Sequence, residues 1–428
     1  MPYANGPNPI TRARNFWFLL GPGLTTGASD DDPSGIATYS QTGAQYGFSL
    51  IWLSLATFPL MAMVQEMCAR IGLVSGRGLA GNIRRHFSRR VLYVSTLLLF
   101  AANSFNIGAD IGAMASATQL VLPKFSFTAL VIGFTLLMMG LQIFTPYVRY
   151  ARYLKYLALV LLAYILSAIL AHPQWTTVLH HTFVPNLQLG KDQLLLICAI
   201  LGTTISPYLF FWQTSQEVEE EIAVGQTTIK SRMGSDAKAM KRMRIDVWSG
   251  MLLSNLVMFF IIAACGSVLF SQGITNITTA AQAAQALRPF AGDATYYLFA
   301  IGIVGTGLLA IPVLAGSSSY AISEALGRRQ GLNNKLKDAY TFYGVIIISM
   351  LLGLSINFLG INPIKALIYS AVANGIVAPV ILTLILLLAN DKKIMGEWVN
   401  GRFTKVVGWG IVLLMTLAGA AAAYVLVS

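Results

Sequence analysis

One long apolar segment contains the stretch Gly21-Pro22-Gly23-Leu24-Thr25-Thr26-Gly27-Ala28-Ser29-Asp30-Asp31-Asp32-Pro33-Ser34-Gly35-Ile36-Ala37-Thr38. Three adjacent carboxylates therefore lie in the middle of a segment that is long enough to cross a bilayer. Insertion scales assign a cost of about 2.5–3.5 kcal/mol to each aspartate at the centre of a membrane helix. The segment cannot be a lipid-facing helix, so its carboxylates line a wet cavity, are protonated, or hold a cation.

The residues that follow the carboxylates predict a break in this helix. Pro33 has no backbone N–H, and Gly35 permits an unwound backbone, which frees carbonyl oxygens to act as hard ligands. The sixth apolar segment repeats the pattern in Gly202-Thr203-Thr204-Ile205-Ser206-Pro207-Tyr208. Two broken helices at corresponding places are typical of a transporter built from inverted repeats, with its site between the breaks. The alternative is a pair of proline kinks packed inside a helical bundle.

The rest of the chain has a membrane composition. Of its 428 residues, 56% are hydrophobic and 11% are charged, against about 25% charged in soluble domains. We predict one all-α membrane domain over 1–428, with a first repeat of about 16–171, a second of about 192–390, and an extra helix at 406–427. The predicted membrane spans are 16–42, 47–73, 91–121, 126–146, 152–171, 192–220, 246–271, 294–325, 339–359, 364–390 and 406–427.

The net charge of +12 indicates how the chain is oriented in the membrane. With a cytoplasmic N-terminus, the basic residues fall on the inner side, except for Lys124, Lys191, Arg288 and Lys365. The positive-inside rule therefore predicts an inner N-terminus and an outer C-terminus. We expect an integral protein of a bacterial inner membrane, in contact with the lipid bilayer and without a nucleic-acid partner. The first span is expected to be retained, because no signal-peptide cleavage site follows it.

Enzyme and cofactor signatures are absent from the sequence. Cys68, Cys198 and Cys265 lie within apolar stretches without CxxC spacing, which predicts buried thiols instead of a disulfide or zinc site. No nucleophile–base pair or phosphate-binding glycine loop is present. We therefore predict that the chain is not an enzyme and needs no cofactor.

The three aspartates cannot all bind one ion, because adjacent side chains on a helix point about 100° apart. Asp32, which lies beside the break, is the predicted primary ligand. For Asp30 and Asp31 two roles stay open: they face a vestibule or cap the broken half-helix, or they ligate the ion directly.

These residues resemble the NRAMP (natural resistance-associated macrophage protein) family of divalent metal transporters. The first-helix signature is reproduced in Gly21-Pro22-Gly23, Asp32-Pro33, Ala37-Thr38 and Gln41-x-Gly43-Ala44-Gln45-Tyr46-Gly47-x-Ser49-Leu50-x-Trp52. Supporting stretches are Ala69-Arg70-Ile71-Gly72, Gly76-Arg77-x-Leu79-Ala80, Arg244-Ile245-Asp246 and Ile361-Asn362-Pro363-x-Lys365-Ala366-Leu367. The resemblance implies a LeuT-like 5+5 inverted repeat with eleven or twelve transmembrane helices, of which helices 1 and 6 are broken. It also implies a divalent metal ion as substrate.

The departures from the family pattern lie at its metal site. Gly35 stands in place of an asparagine, Ser206 in place of a methionine, and Ala371 in place of a glutamine. We expect a wider, sulfur-free site that suits a partly hydrated Mg²⁺, and Mn²⁺ accepts the same ligands. One turn from Ala371, Asn374 either compensates for the lost glutamine or bonds a neighbouring helix. The candidate metal-site residues are Asp32, Ser29, Gly35, Thr203, Ser206, Asp31 and Asn374.

The proton pathway of the family is also altered. Asn106 and Ala109 stand where proton-coupled members carry carboxylates, and the segment 339–359 contains no arginine. Asp110 is the one nearby carboxylate, and it either relays protons or packs as a neutral residue. We therefore predict transport that is not coupled to protons, driven by the gradient of the metal ion.

Acidic residues cluster at the predicted inner end of helix six. Glu217, Glu219, Glu220 and Glu221 either form a solvated helix end or line an acidic funnel that concentrates cations. In the same helix, Tyr208 replaces a histidine of the family pattern.

Two other functions compete with metal transport. An organic-cation or amino-acid carrier of the same fold would need an aromatic or apolar pocket beside Asp32. A metal-sensing membrane protein without transport would be expected to carry an appended soluble domain.

Overall fold

The computed structural model describes residues 20–145, 147–187, 190–277 and 280–427. All regular structure in that part of the chain is helical. The α-helices are α1 (Pro22–Asp30), α2 (Pro33–Tyr46), α3 (Trp52–Ser75), α4 (Leu79–His86), α5 (Arg89–Val121), α6 (Phe127–Phe144), α7 (Tyr147–Leu157), α8 (Leu162–Leu170), α9 (Trp175–Phe183), α10 (Lys191–Thr204), α11 (Pro207–Ala223), α12 (Ile229–Arg232), α13 (Ala237–Val268), α14 (Ala280–Leu326), α15 (Tyr340–Ile356), α16 (Pro363–Asn390), α17 (Lys392–Met395) and α18 (Arg402–Val427).

Eight helical segments within the described ranges are long and apolar enough to cross a membrane, and α15 is a shorter apolar helix. Each of the eight overlaps a span predicted from the sequence, which confirms the all-α membrane architecture. The full number of eleven spans and the repeat boundaries stay predictions, as do the positions of the termini.

Both predicted helix breaks are present. The chain leaves the helical conformation at Asp31 (φ −83°, ψ 56°) between α1 and α2, and at Ile205 (φ −114°, ψ 61°) between α10 and α11. Pro33 and Pro207 then begin the second half of each helix, a position where the missing N–H costs nothing. The alternative of continuous helices with packed proline kinks is therefore wrong.

The broken helices pack across the two halves of the chain. Helices α1 and α2 pack on α13, and α11 packs on α3. The contact between α1 and α13 needs glycine: a Cβ added at Gly27 would lie 2.2 Å from the carbonyl carbon of Gly250. This close approach brings the first break against the second half of the chain.

Burial places the breaks at the centre of the molecule. Helices α10 and α11 are mostly buried, whereas α6 and α18 expose much of their apolar surface. Leu136 and Leu417, for example, are 60% and 62% exposed. Such apolar exposure suits helices that face lipid. The predicted buried, unpaired state of the three cysteines is confirmed.

Candidate functional site

Asp32 is held by two hydrogen bonds at the start of α2. Its Oδ1 accepts from the backbone N–H of Gly35 at 2.7 Å, as an N-cap. Its Oδ2 accepts from the side-chain amide of Asn106, on α5, at 2.8 Å. Each carboxylate oxygen keeps acceptor capacity for a cation. The side chain is 1% exposed, so the site is closed to solvent in this conformation.

A second contact fixes the orientation of Asn106. Its Oδ1 lies 2.8 Å from the hydroxyl oxygen of Ser370, on α16. Because the amide oxygen faces this hydroxyl, the amide nitrogen faces Asp32. From the sequence, Asn106 is expected only to mark the loss of a proton carrier, and its role as a partner of Asp32 is not predicted. The alignment with a family carboxylate was the available signal that this position faces the site.

The two prolines free two particular carbonyls. In a continuous helix the carbonyl of residue i accepts from the N–H of residue i+4. Pro33 and Pro207 lack that N–H, so the carbonyls of Ser29 and Thr203 have no helical donor. In this structure each accepts a hydroxyl. Tyr208 donates to the Ser29 carbonyl at 2.8 Å, and the Ser206 hydroxyl is shared between the Thr203 carbonyl at 2.6 Å and the Gly202 carbonyl at 2.7 Å.

The two breaks meet at Gly35. A Cβ added there would lie 2.9 Å from Oγ1 of Thr203 and 3.5 Å from the carbonyl oxygen of Asp30. Thr203 thus fills the space that a larger residue at position 35 would take. In this conformation the loss of the family's asparagine does not by itself widen the site, contrary to the sequence-based expectation.

The remaining aspartates are buried with free oxygens. Oδ2 of Asp30 accepts from the Ser254 hydroxyl at 2.6 Å. Within the described ranges, Oδ1 of Asp30 and both carboxylate oxygens of Asp31 and Asp110 have no hydrogen-bond partner. All three side chains are 0% exposed. In this conformation Asp30 lies in the packed interior with its side chain against α13, and its role, whether vestibule, cap or ligand, stays a prediction.

The tenth-helix candidate lies on α16, which packs on α10. Ala371 sits in an apolar cluster with Cys198 and Ala422. Asn374 is 1% exposed, and its Oδ1 has no partner in the part of the chain that the structure describes. Asn374 therefore presents a buried amide oxygen without a donor, while Ala371 packs against apolar neighbours.

A cavity of about 910 Å³ lies beside α1, and we call it the α1 cavity. Its charged lining residues carry both signs: Glu217, Glu220, Glu221, Asp236 and Asp246, with Arg152, Lys155 and Arg242. Three of the four glutamates of the predicted funnel line the cavity, but the lining is not purely acidic.

The alternative of a solvated helix end is wrong for two of the glutamates. Glu217 is 6% exposed and accepts from Gln213 at 2.8 Å. Glu219 is 2% exposed and accepts from the Tyr320 hydroxyl at 2.7 Å and from the backbone N–H of Leu332 at 3.1 Å. Glu219 therefore fixes the chain after α14 to α11, a structural role.

Asp246 caps α1 from a neighbouring helix. Its Oδ1 accepts from the N–H groups of Gly21 (2.8 Å) and Leu24 (3.0 Å), and its Oδ2 accepts from that of Gly23 (2.7 Å). A carboxylate suits this place because the first N–H groups of a helix lack partners and carry partial positive charge. Nearby, Lys155 donates to the carbonyl of Leu20 at 2.5 Å. These contacts fasten the start of α1 to α13 and α7 at the edge of the α1 cavity.

Comparison with known proteins gives a consistent result. The family model described as natural resistance-associated macrophage protein-like matches residues 23–425. The divalent metal cation transporter MntH of Deinococcus radiodurans is 28% identical, over 97% of this chain and 91% of its own length. MntH of Clostridium acetobutylicum is 27% identical, over 96% of this chain and 92% of its own.

Solved structures share the fold. A structure of the Eremococcus coleocola manganese transporter matches with a TM-score of 0.72 at 19% identity, covering 99% of this chain and 90% of that one. Mhp1, a nucleobase-cation-symport-1 family transporter, matches with a TM-score of 0.56 at 15% identity, covering 95% of this chain and 92% of that one. The predicted LeuT-like architecture is confirmed.

We expect the hydrogen bonds between Asp246 and the start of α1 to limit the access of reagents in the α1 cavity to the side chain at position 25. In a Thr25→Cys variant, Asp246→Ala should raise the rate of maleimide labelling about tenfold. This corresponds to ~1.4 kcal/mol, within the range for losing hydrogen bonds to a charged acceptor. The native cysteines are all buried and should give little background.

Asp236→Ala is the matched control for this experiment. Asp236 also lines the α1 cavity and caps a helix, but it bonds to Ala239 of its own helix. Equal labelling rates in the two variants would show that Asp246 does not hold α1 closed.

Proposed function

Since this chain belongs to the natural resistance-associated macrophage protein-like family, whose members are membrane transporters of divalent metals and not enzymes, we propose that it carries Mg²⁺ or Mn²⁺ through the Asp32 site without proton coupling. The metal ion is the substrate. Both repeats contribute to its site, at the two helix breaks.

One observation carries this proposal: five buried carboxylate oxygens of Asp30, Asp31 and Asp110 have no hydrogen-bond partner in the described ranges. Burying an unpaired carboxylate is strongly unfavourable unless it is neutralised. A divalent cation neutralises two such charges at once. The same reasoning makes a neutral substrate unfavourable at this place.

The candidate ligands at the breaks are carboxylate, carbonyl and amide oxygens. Asp32 supplies a fixed carboxylate, and Asp31 supplies a second carboxylate that no donor occupies. The prolines also free the carbonyls of Ser29 and Thr203, but in this conformation the hydroxyls of Tyr208 and Ser206 cover them. Gly35 supplies the N–H that orients Asp32, and Asn374 supplies an amide oxygen on α16.

The chemistry of these ligands favours hard cations. Carboxylate, carbonyl and hydroxyl oxygens suit Mg²⁺, which binds through one or two carboxylates and keeps several of its waters. Mn²⁺ accepts the same ligands, and the structural relative from Eremococcus coleocola is a manganese transporter. Ser206 offers no thioether, so soft ions gain nothing there.

An organic-cation carrier is less well supported. The Mhp1 match shows that this fold also occurs in nucleobase-cation symporters, so the fold alone does not decide. The alternative needs an aromatic pocket beside Asp32. Tyr208 is the aromatic residue at the break, but its buried hydroxyl bonds to the Ser29 carbonyl. Its polar end therefore faces the site, which suits a metal better than an organic cation. A sensor without transport is not favoured, because the family consists of transporters.

The hydrogen bond from Asn106 to Asp32 supports metal transport that is not coupled to protons. Asn106 is an amide that cannot carry a proton between acid and base forms, and it occupies one oxygen of Asp32. A membrane potential is sufficient to drive accumulation. One charge that crosses 100 mV gains about 2.3 kcal/mol, and a divalent ion gains roughly twice that.

Removing the Asp32 carboxylate should abolish metal binding. Asp32→Ala also removes the cap of α2, at a cost of ~1 kcal/mol, so Asp32→Asn serves as a second variant that keeps most of the cap. Calorimetric titration with Mg²⁺ and Mn²⁺, beside thermal melting, measures the effect. The control is Asp338→Ala, an exposed aspartate. Wild-type affinity in a folded Asp32→Asn variant would exclude Asp32 as the primary ligand.

Restoring the family residues should shift the ion preference. In Gly35→Asn with Ser206→Met, we expect the ratio of Cd²⁺ to Mg²⁺ transport to rise at least about tenfold, since a thioether binds soft ions. Because Thr203 fills the space beside Gly35, the variant also needs Thr203→Ala. Competition between the two ions in proteoliposomes measures the ratio, with Thr203→Ala alone as control. An unchanged ratio would place these positions outside the ion site.

Metal entry should proceed without proton entry. We expect a pH-sensitive dye inside proteoliposomes to report no acidification during Mn²⁺ uptake at fixed potential, because Asn106 and Ala109 interrupt the relay. An Asp110→Asn variant is measured alongside. Acidification that requires external metal and disappears in the variant would show that Asp110 alone relays protons.

A further inference from the structure

Two hydroxyl groups cover the carbonyls that the helix breaks release. The Ser29 carbonyl accepts from Tyr208 at 2.8 Å, and the Ser206 hydroxyl lies 2.6 Å from the Thr203 carbonyl and 2.7 Å from the Gly202 carbonyl, which share its one proton. Both hydroxyls come from the start of α11, so one short segment covers an oxygen of each break. The side chains of Tyr208 and Ser206 are fully buried.

This arrangement has an energetic reason. A buried carbonyl without a donor is unfavourable, and the prolines remove the donor that a continuous helix would supply. The hydroxyls therefore stabilise the ion-free site. A cation that uses either carbonyl as a ligand must first displace a hydroxyl.

We propose that Tyr208 and Ser206 determine ion selectivity by keeping the Ser29 and Thr203 carbonyls occupied, so that the site offers few protein oxygens and disfavours Ca²⁺. The inference rests on the proposed function, because it assumes that the ion binds between the breaks.

Ca²⁺ and Mg²⁺ should respond differently to the covered carbonyls because they need different numbers of protein ligands. Ca²⁺ takes six to eight oxygen ligands in flexible geometry, whereas Mg²⁺ needs six and keeps several waters. Each covered carbonyl removes a ligand that Ca²⁺ would use and that Mg²⁺ replaces with water. Tyr208 is thus a specificity-determining residue even though its oxygen does not ligate the ion.

The test is the affinity of a Tyr208→Phe variant. The phenylalanine keeps the ring and leaves the Ser29 carbonyl uncovered before the ion arrives. We expect the affinity for Ca²⁺ to rise about three- to tenfold, as expected for the loss of one competing hydrogen bond. The affinity for Mg²⁺ should change less than about twofold. Mn²⁺ binding is followed by the loss of the electron paramagnetic resonance signal of the free ion, with Ca²⁺ and Mg²⁺ as competitors.

Tyr150→Phe is the matched control, since it removes a buried hydroxyl that has no hydrogen-bond partner in the described ranges. This variant should bind all three ions as the wild type does. Ser206→Ala is the second test variant and keeps the inference falsifiable if Tyr208→Phe fails to fold. It uncovers the Thr203 carbonyl, and the affinity for Ca²⁺ should again rise relative to Mg²⁺.

Three results would overturn the inference: unchanged affinities in both test variants, weaker binding of both ions, or an equal gain for Ca²⁺ and Mg²⁺. Weaker binding would mean that the hydroxyl oxygens are ligands instead of covers. Asp32→Asn separates this failure from failure of the proposed function. If Asp32→Asn retains metal binding, the assignment of the metal site to Asp32 is wrong. If Asp32→Asn loses binding and only the Tyr208 and Ser206 variants behave unexpectedly, that assignment is kept and the proposed cause of ion selectivity is wrong.

Discussion

Pro33 and Pro207 each leave one backbone carbonyl without its helical donor, in a part of the chain that lies within the membrane. There is no water in the bilayer core to take the place of that donor, and each unsatisfied group costs several kcal/mol. The chain must therefore bury both breaks and supply other partners to them. This requirement explains why the broken helices lie at the centre of the bundle, and why hydroxyl side chains lie against the freed carbonyls.

The same constraint concentrates negative charge at one place. Helices α1 and α10 both end at the breaks, and the C-terminal end of a helix carries partial negative charge. The three aspartates add formal charge beside the end of α1, and Asp110 approaches from α5. Of these four carboxylates, within the described ranges, Asp32 alone has both oxygens bonded to donors, one from α2 and one from Asn106. The site is thus organised around one oriented carboxylate, and the other buried carboxylates need a cation or a proton.

Contacts at the far end of α1 fix its position against the second half of the chain. The Asp246 carboxylate binds three backbone N–H groups of α1, and the close approach at Gly27 allows α1 to lie flat against α13. These contacts fasten the half-helix at a point about two turns from Asp32.

The sequence by itself determined the membrane class, the positions of the two breaks and the position of Asp32 beside the first of them. These features follow from hydropathy and from the missing N–H of proline, which act within a few residues of their cause. The tertiary structure alone decided which partners complete the site. Asn106 reaches Asp32 across 74 positions, and Tyr208 reaches Ser29 across 179. Such contacts depend on how whole helices pack, and the periodicity of one helix carries no information about the residue that a neighbouring helix brings to it.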